Sequence, residues 1–245
     1  KNNHFNCMLK NHLLFFFALL VAPCIAQQSN KIITPKSVYV EFAYVDIPEE
    51  DQLQKMMFGN TRLKIYSDAR YSMLESVQQT NGGLKSVVIR DNKSGDTYIC
   101  VEMDTLKIKM KQEDTDKLAD LFGMPNDSTQ TWKSLGDFKQ PIMEYTARDW
   151  LISNPDAGDY HIFISDRITP AEDMSQSPLF IYRDGKYLGM MLGYDRQPYG
   201  SFTLHMRAVA IETDRPKDIG AELAAFRTVT EAEGNTLLQK AIMGN

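Results

Sequence analysis

SPLFIYRDGKYLGMMLGYDRQPYGSFTLHMRAVAIE, Ser177–Glu212, is the stretch whose reading decides the fold. Two apolar runs, Leu179–Tyr182 and Lys186–Tyr194, flank Arg183-Asp184-Gly185. Asp-Gly between such runs predicts a tight hairpin, because the turn needs positive φ and glycine adopts it without steric cost. A second turn, Asp195–Gly200, carries Pro198 and Gly200 and leads into a third run, Ser201–Glu212. There Phe202, Leu204, Met206, Ala208 and Ala210 fall on one face and Thr203, His205 and Arg207 on the other. Period-two alternation predicts a half-buried strand, so the element is an antiparallel meander.

Upstream, Ser37–Asp46 is β-branched and aromatic and predicts a strand. Pro48–Phe58 has proline and acids at its start and apolar residues at 53, 56 and 57, which predicts a short amphipathic helix capped by Asp46 and ended by Gly59-Asn60. Short strands follow over Arg62–Ser67, Arg70–Gln78, Leu84–Arg90, Thr97–Met103 and Leu106–Lys111, with Lys107, Lys109 and Lys111 on the wet face of the last. Glu113–Phe122 predicts a helix, Thr131–Pro141 is irregular, and Ile142–Ile152 and Tyr160–Ser165 predict strands. Thr169–Ser177 is a polar connection, Ile219–Phe226 predicts a short helix, and Thr230-Glu231-Ala232-Glu233 is a capping box opening a C-terminal helix through Ile242. The fold class is therefore α+β: a curved antiparallel sheet or incomplete β-barrel covered by short helices.

Residues 1–26 are read as a secretory signal peptide, 27–36 as a flexible leader and 37–245 as one domain. Lys10-Asn11-His12 precedes the apolar Leu13–Val21, and Cys24-Ile25-Ala26 offers small residues around a cleavage point. The apolar run is shorter than the ~20 residues of a membrane span, so no transmembrane anchor is expected. Cys24 after Val21-Ala22-Pro23 is the alternative, a lipidated cysteine, against which stands the proline before it. The localisation that follows is export through the inner membrane, to the periplasm or beyond.

The chain carries 27 basic and 32 acidic side chains, net −5. Lys1 and Lys10 leave with the signal, which makes the mature chain more acidic still. That balance argues against nucleic acid as a partner, since such binding needs neutralised phosphates. Downstream of residue 26 the cysteine that remains is Cys100, in an apolar run, where it reads as a small buried filler. His161 and His205 stand outside any metal-spaced pair, and each reads as a strand-face histidine. No P-loop, Gly-x-Ser-x-Gly or dinucleotide fingerprint occurs, so no catalytic residue, metal or cofactor is assigned. Asp91–Asp96 has a calcium-loop-like start, but Lys93 takes a ligand position and a hairpin turn is the better reading.

Methionine is the compositional oddity, at 13 residues. Flexible thioethers suit a surface that adapts to varied apolar ligands, or fill an irregular core. The candidate lining of an apolar groove is Met56, Met57, Phe58, Met103, Met191, Leu204 and Met206.

The helix Pro48–Phe58, the hairpin Ile89-Arg90-Asp91-Asn92-Lys93-Ser94-Gly95-Asp96-Thr97-Tyr98 and the late meander into Ala208-Val209-Ala210-Ile211 come in an order that resembles secreted families of unknown function with the lipoprotein-carrier fold of the LolA/LolB type. The resemblance implies an incomplete barrel wrapped over helices, with an apolar cavity that carrier members use for acyl chains. The function expected is an exported, non-enzymatic envelope protein that binds a lipid-like or other hydrophobic molecule. Two alternatives stand beside it. One is an envelope interaction module with a solid core, meeting a partner protein through the loop Tyr194–Phe202. The other is an envelope hydrolase built on Asp residues, His161 and Ser165.

Overall fold

SVYVEFAYV is β-branched and aromatic, and Ser37–Val45 forms strand β1 with Val38, Val40 and Phe42 buried on one face and Tyr39 and Glu41 less buried on the other. The computed structural model describes residues 31–77, 85–103, 105–112, 130–154, 158–174, 177–197 and 203–243. After β1 come helix α1 (Gln52–Phe58), β2 (Arg62–Asp68), β3 (Tyr71–Val77), β4 (Lys85–Asp91), β5 (Thr97–Met103) and β6 (Leu106–Gln112). Then follow β7 (Thr131–Asp137), β8 (Arg148–Asn154), β9 (Gly158–Ser165), β10 (Phe180–Arg183), β11 (Lys186–Arg196) and β12 (Leu204–Thr213). Helix α2 (Ile219–Ala224), β13 (Arg227–Val229) and α3 (Glu231–Met243) end the chain.

The strands share one sheet in the order β13-β6-β5-β4-β3-β2-β1-β12-β11-β9-β8-β7, with β10 pairing β11 off that path. Every pairing of named strands is antiparallel except β13 on β6, and β13 and β7 lie at opposite ends of the path. The sheet is thus open, curved and mostly antiparallel, with few short helices. Its two halves join where β12 pairs with β1, so the meander read first in the sequence sits at the middle of the sheet.

The Asp184-Gly185 hairpin forms as its residues demand: φ is 51° and 72° at the two positions, a type I′ turn between Arg183 and Lys186. In β12 the alternation Leu204, Met206, Ala208 is broken by a bulge. Glu41 faces Ala210 and Phe42 faces Ala208, which leaves Val209 unpaired and exposed. Beyond it Ile211 turns to the core opposite Val40, and Ala210, expected on the buried face, takes the side of Glu41. Leu192 is a second bulge residue, this one buried, between Met191 opposite Ile164 and Gly193 opposite Phe163.

Several elements differ from the sequence expectation. Helix α1 starts at Gln52, because Asp51 and not Asp46 caps it, its Oδ1 accepting from the Gln54 N–H at 2.8 Å. Strand β7 occupies part of the stretch expected to be irregular. Strand β8 begins at Arg148 instead of Ile142, since Ile142 and Tyr145 close a tight turn by reciprocal backbone bonds of 3.1 Å with Met143 at φ 55°. The lysine-bearing strand β6 is flanked by β13, and Lys109 donates to the Leu223 carbonyl at 2.8 Å. The helix expected over Glu113–Phe122 lies outside the described residues, as do residues 1–26 and Cys24. Ile33, within the expected leader, bridges Ile168, with its N–H on the Arg167 carbonyl at 2.9 Å.

Both sheet faces carry core. On one, Val38, Val40, Phe42, Ile65 and Leu74 pack with Ile162, Ile164, Met190 and Met206. On the other, Ile219, Leu223 and Phe226 cover Tyr66, Met73, Val87, Ile89 and Cys100. Helix α3, opened by the Glu233 N–H on Thr230 Oγ1 at 3.2 Å, lays Leu237 and Leu238 against Val101, Ile108 and Met110.

The β4–β5 turn is a hairpin held by one carboxylate. Asp91 Oδ1 accepts from the N–H groups of Lys93 and Ser94 at 3.0 and 3.3 Å, and its Oδ2 from Arg70 Nη2 at 2.8 Å. Burial pushes the Asp91 carboxyl up, but the Arg70 and backbone hydrogen bonds with the Arg70 charge outweigh it and hold the group below the usual carboxylate range. A folded-state pKa below the unfolded value of about 3.9 means stability that is complete above that value and lost as pH falls through the folded one. Asp91→Asn is therefore expected to flatten the acid limb of stability, read as urea midpoint against pH between about pH 5 and about pH 2. Parallel acid limbs for variant and parent would remove the assignment.

Candidate functional site

Helix α1 is turned over relative to its sequence reading. Gln54 is buried with its Nε2 on Asp51 Oδ2 at 2.7 Å, and Phe58 packs on Tyr44 with ring centroids 5.0 Å apart. Gln54 and Phe58, four apart, define the inner face. Leu53, Met56 and Met57 consequently face solvent, with 61%, 78% and 51% of their surface exposed.

The expected groove residues separate into three places. Phe58 rests on Tyr44, which lies opposite Met206 in register, and Met206 lies opposite Tyr194. The Tyr44 and Tyr194 hydroxyls are 3.5 Å apart, and burial followed by Tyr44 raises the Tyr194 phenol well above the ordinary value. Met191, Leu204 and Met206 are buried. Met103 lies on β5, five strand positions from β12. Met56 and Met57 face solvent.

Two cavities opening on described residues are lined by other side chains. One, of about 220 Å³, is formed by Asp137, Thr146, Ala147, Arg148, Ile164, Asp166, Arg167 and Leu188. The other, of about 510 Å³, opens between Thr34, Lys36, Ser37, Asp214 and Pro216.

The sequence reading missed a polar row across β12, β11, β9 and β8. Asp195 stands in register with His205 on one side and His161 on the other. Its Oδ1 lies 3.0 Å from His205 Nδ1 and 2.5 Å from Arg207 Nη1, while Asp149 Oδ1 lies 2.9 Å from His161 Nδ1. Arg207 also donates to the carbonyls of Tyr194 and Met206, and its guanidinium sits 4.2 Å over the Phe163 ring. A carboxylate-oriented imidazole is half of a nucleophilic triad. Ser165, however, is buried four residues along β9 from His161, about 13 Å away in an extended strand, beyond the reach a dyad requires. Among the described residues no group of three or more His, Cys, Asp and Glu is placed to hold a metal ion. No helix among them is long and apolar enough to cross a membrane.

Cys100 is fully buried, and burial pushes its thiol up to about 12 despite the nearby Lys109 charge. The native protein is expected to resist iodoacetamide at pH 8, with Cys100 alkylated only in urea. Rapid native-state labelling of Cys100, located by peptide mass mapping, would contradict that burial.

The fold resembles that of solved structures. PNGF-II superposes with a TM-score of 0.50 at 11% identity, over 84% of this chain and 33% of that one. The likeness is one of fold. This chain spans about a third of PNGF-II. An uncharacterised conserved protein from Thermus thermophilus aligns at TM-score 0.45 and 9% identity, over 80% of this chain and 91% of that one. A DUF1329 family protein from Desulfovibrio piger aligns at 0.34 and 10%, over 76% and 88%. No family model matches the sequence, and no curated protein matches it.

Proposed function

We propose that this is an exported, non-enzymatic envelope protein that binds a lipid-like or other hydrophobic ligand, with α1 as the contacting element. The observation that carries the reading is the outward stripe of Leu53, Met56 and Met57. Solvent-facing apolar side chains three and four apart on one helix are an unmet burial demand, and two of the three are adaptable thioethers. Beneath them Phe58, Tyr44, Met206 and Tyr194 form a continuous apolar and aromatic base. Export rests on the charge-then-apolar-then-small order of residues 1–26, and the ligand class on the carrier resemblance.

Native mass spectrometry and lipid extraction of the purified protein test this, together with uptake of a fluorescent fatty acid. Met56→Lys with Met57→Lys alters only exposed positions, so stability is expected to move by no more than about 0.5 kcal/mol while uptake falls. A protein that purifies empty and takes up no probe, or uptake unchanged in the double variant, would overturn the reading.

The solid packing of Met191 and Met206 supports the second reading, an envelope interaction module. Its contact would not use Tyr194, which is buried; residues 198–202 of the loop proposed for it lie outside the described residues. Capture of an envelope protein that survives the α1 double substitution would favour it. In the hydrolase reading Asp149 and His161 lack a nucleophile from Ser165, and activity insensitive to His161→Ala would dismiss it.

A further inference from the structure

We infer that the cavity between β7, β8 and the segment after β9 is a binding site for a zwitterionic α-amino acid with an aliphatic side chain. Asp137 and Arg148 stand directly opposite each other in register, yet they form no ion pair. Elsewhere in the sheet opposite charges on neighbouring strands do meet: Lys107 with Glu102 at 2.6 Å and Lys85 with Glu75 at 3.2 Å. Among the described residues the side chains of Asp137, Thr146, Arg148 and Asp166 have no hydrogen-bond or ion-pair partner, and all four border the same hollow of about 220 Å³. Beneath them lie buried Ala147 and Ile164 and half-buried Leu188.

Each part of that lining answers one part of such a ligand. The guanidinium of Arg148 offers paired N–H donors to a carboxylate, a geometry that point charges do not supply. Asp137 and Asp166 accept from an ammonium group, and the Thr146 hydroxyl serves either end. The Ile164 and Leu188 surfaces take an aliphatic side chain. Two carboxylates facing the Arg148 guanidinium put both signs on one wall, which fits a molecule carrying both signs. The volume lies below the roughly 300–1,000 Å³ of drug-sized pockets, which limits the occupant to a small metabolite. A residue inside a peptide chain lacks both charges and leaves the wall unanswered.

The test is calorimetric titration of the wild-type protein with L-leucine, L-leucinamide, N-acetyl-L-leucine and glucose, followed by backbone amide NMR shifts. Leucine is expected to bind, with the amide and the acetyl derivative each at least about tenfold weaker and glucose silent, because each derivative leaves one charged wall unpaired. Arg148→Gln is expected to lower leucine affinity at least about tenfold at an unchanged melting temperature, since Arg148 is exposed. No saturation by about 10 mM leucine, or equal binding of leucine and its two derivatives, overturns the inference whatever the variant does. The site is separate from α1, so lipid uptake and leucine binding are read independently on one preparation.

Discussion

Gly189→Ala is expected to destabilise the protein by about 3 kcal/mol or more, the largest effect of adding a single methyl group at a glycine of the meander. Gly189 has φ 150°, a conformation that side chains rarely adopt, and a Cβ built there lies 2.2 Å from Ile164 Cγ2 and 2.6 Å from the Ser165 carbonyl oxygen. The carbonyl cannot retreat easily. Met190, the next residue, is paired to Ser165, and Gly189 itself is paired to Ile181 on the other side. Overpacking costs roughly 1–3 kcal/mol and the backbone conformation roughly 1–3 more, so the two together exceed either alone. Gly234→Ala is the control. Its added Cβ meets Met110 Sδ at 2.3 Å, the far end of a flexible side chain, and alanine in a helix regains about 1 kcal/mol of propensity. Urea midpoints at constant m-value separate the two: a large drop for Gly189→Ala and a small change for Gly234→Ala. Similar small shifts for both would mean that β11 is not clamped between β9 and β10.

The elements legible in the sequence were those whose residues carry their own local reason. Asp184-Gly185 forms its turn because both positions need positive φ, and Thr97–Met103 forms β5 with the expected ends. Strand β7 was not legible. TWKSLGD is exposed at every position but Trp132, and its strand identity comes from pairing with β8 across a bulge at Leu135. Helical period placed Leu53, Met56 and Met57 on one face but could not say which face met the core. The Asp51–Gln54 hydrogen bonds decide that, by allowing a polar side chain to be buried. Bulges defeat period-two reasoning in the same way, since one extra residue at Val209 reverses every side chain beyond it. The His205–Asp195–His161 row depends on register between strands about 10 to 34 positions apart in sequence, which no local pattern records. The Asp137–Arg148 hollow is hidden for the same reason, as its lining comes from four separate segments of chain.

Phe163→Ala is the second large expected effect, a loss of about 4 kcal/mol, and the interest lies in how that loss divides. Phe163 is buried, with the Phe138 ring 4.4 Å away and the Arg207 guanidinium 4.2 Å over its face. Removing a buried phenyl costs roughly 3–5 kcal/mol through lost transfer and cavity terms, whereas a partly desolvated cation–π contact contributes roughly 0.5–2. Packing therefore sets the size of the effect, and the cation–π contact sets its coupling. Phe163→Leu, which keeps most of the volume, is expected to cost about 1.5 kcal/mol. A double-mutant cycle pairing Phe163→Leu with Arg207→Met isolates the ring–guanidinium contribution, expected at about 1 kcal/mol. The same cycle reports on the polar row, because Arg207 is the group that fixes both oxygens of Asp195, at 2.5 and 3.1 Å. If the rings hold Arg207 in place, Phe163→Leu should also shift the His205 imidazole resonances. A cycle with no coupling and unmoved His205 signals would mean that Asp195 alone orders the row, with the aromatic pair acting only as filling.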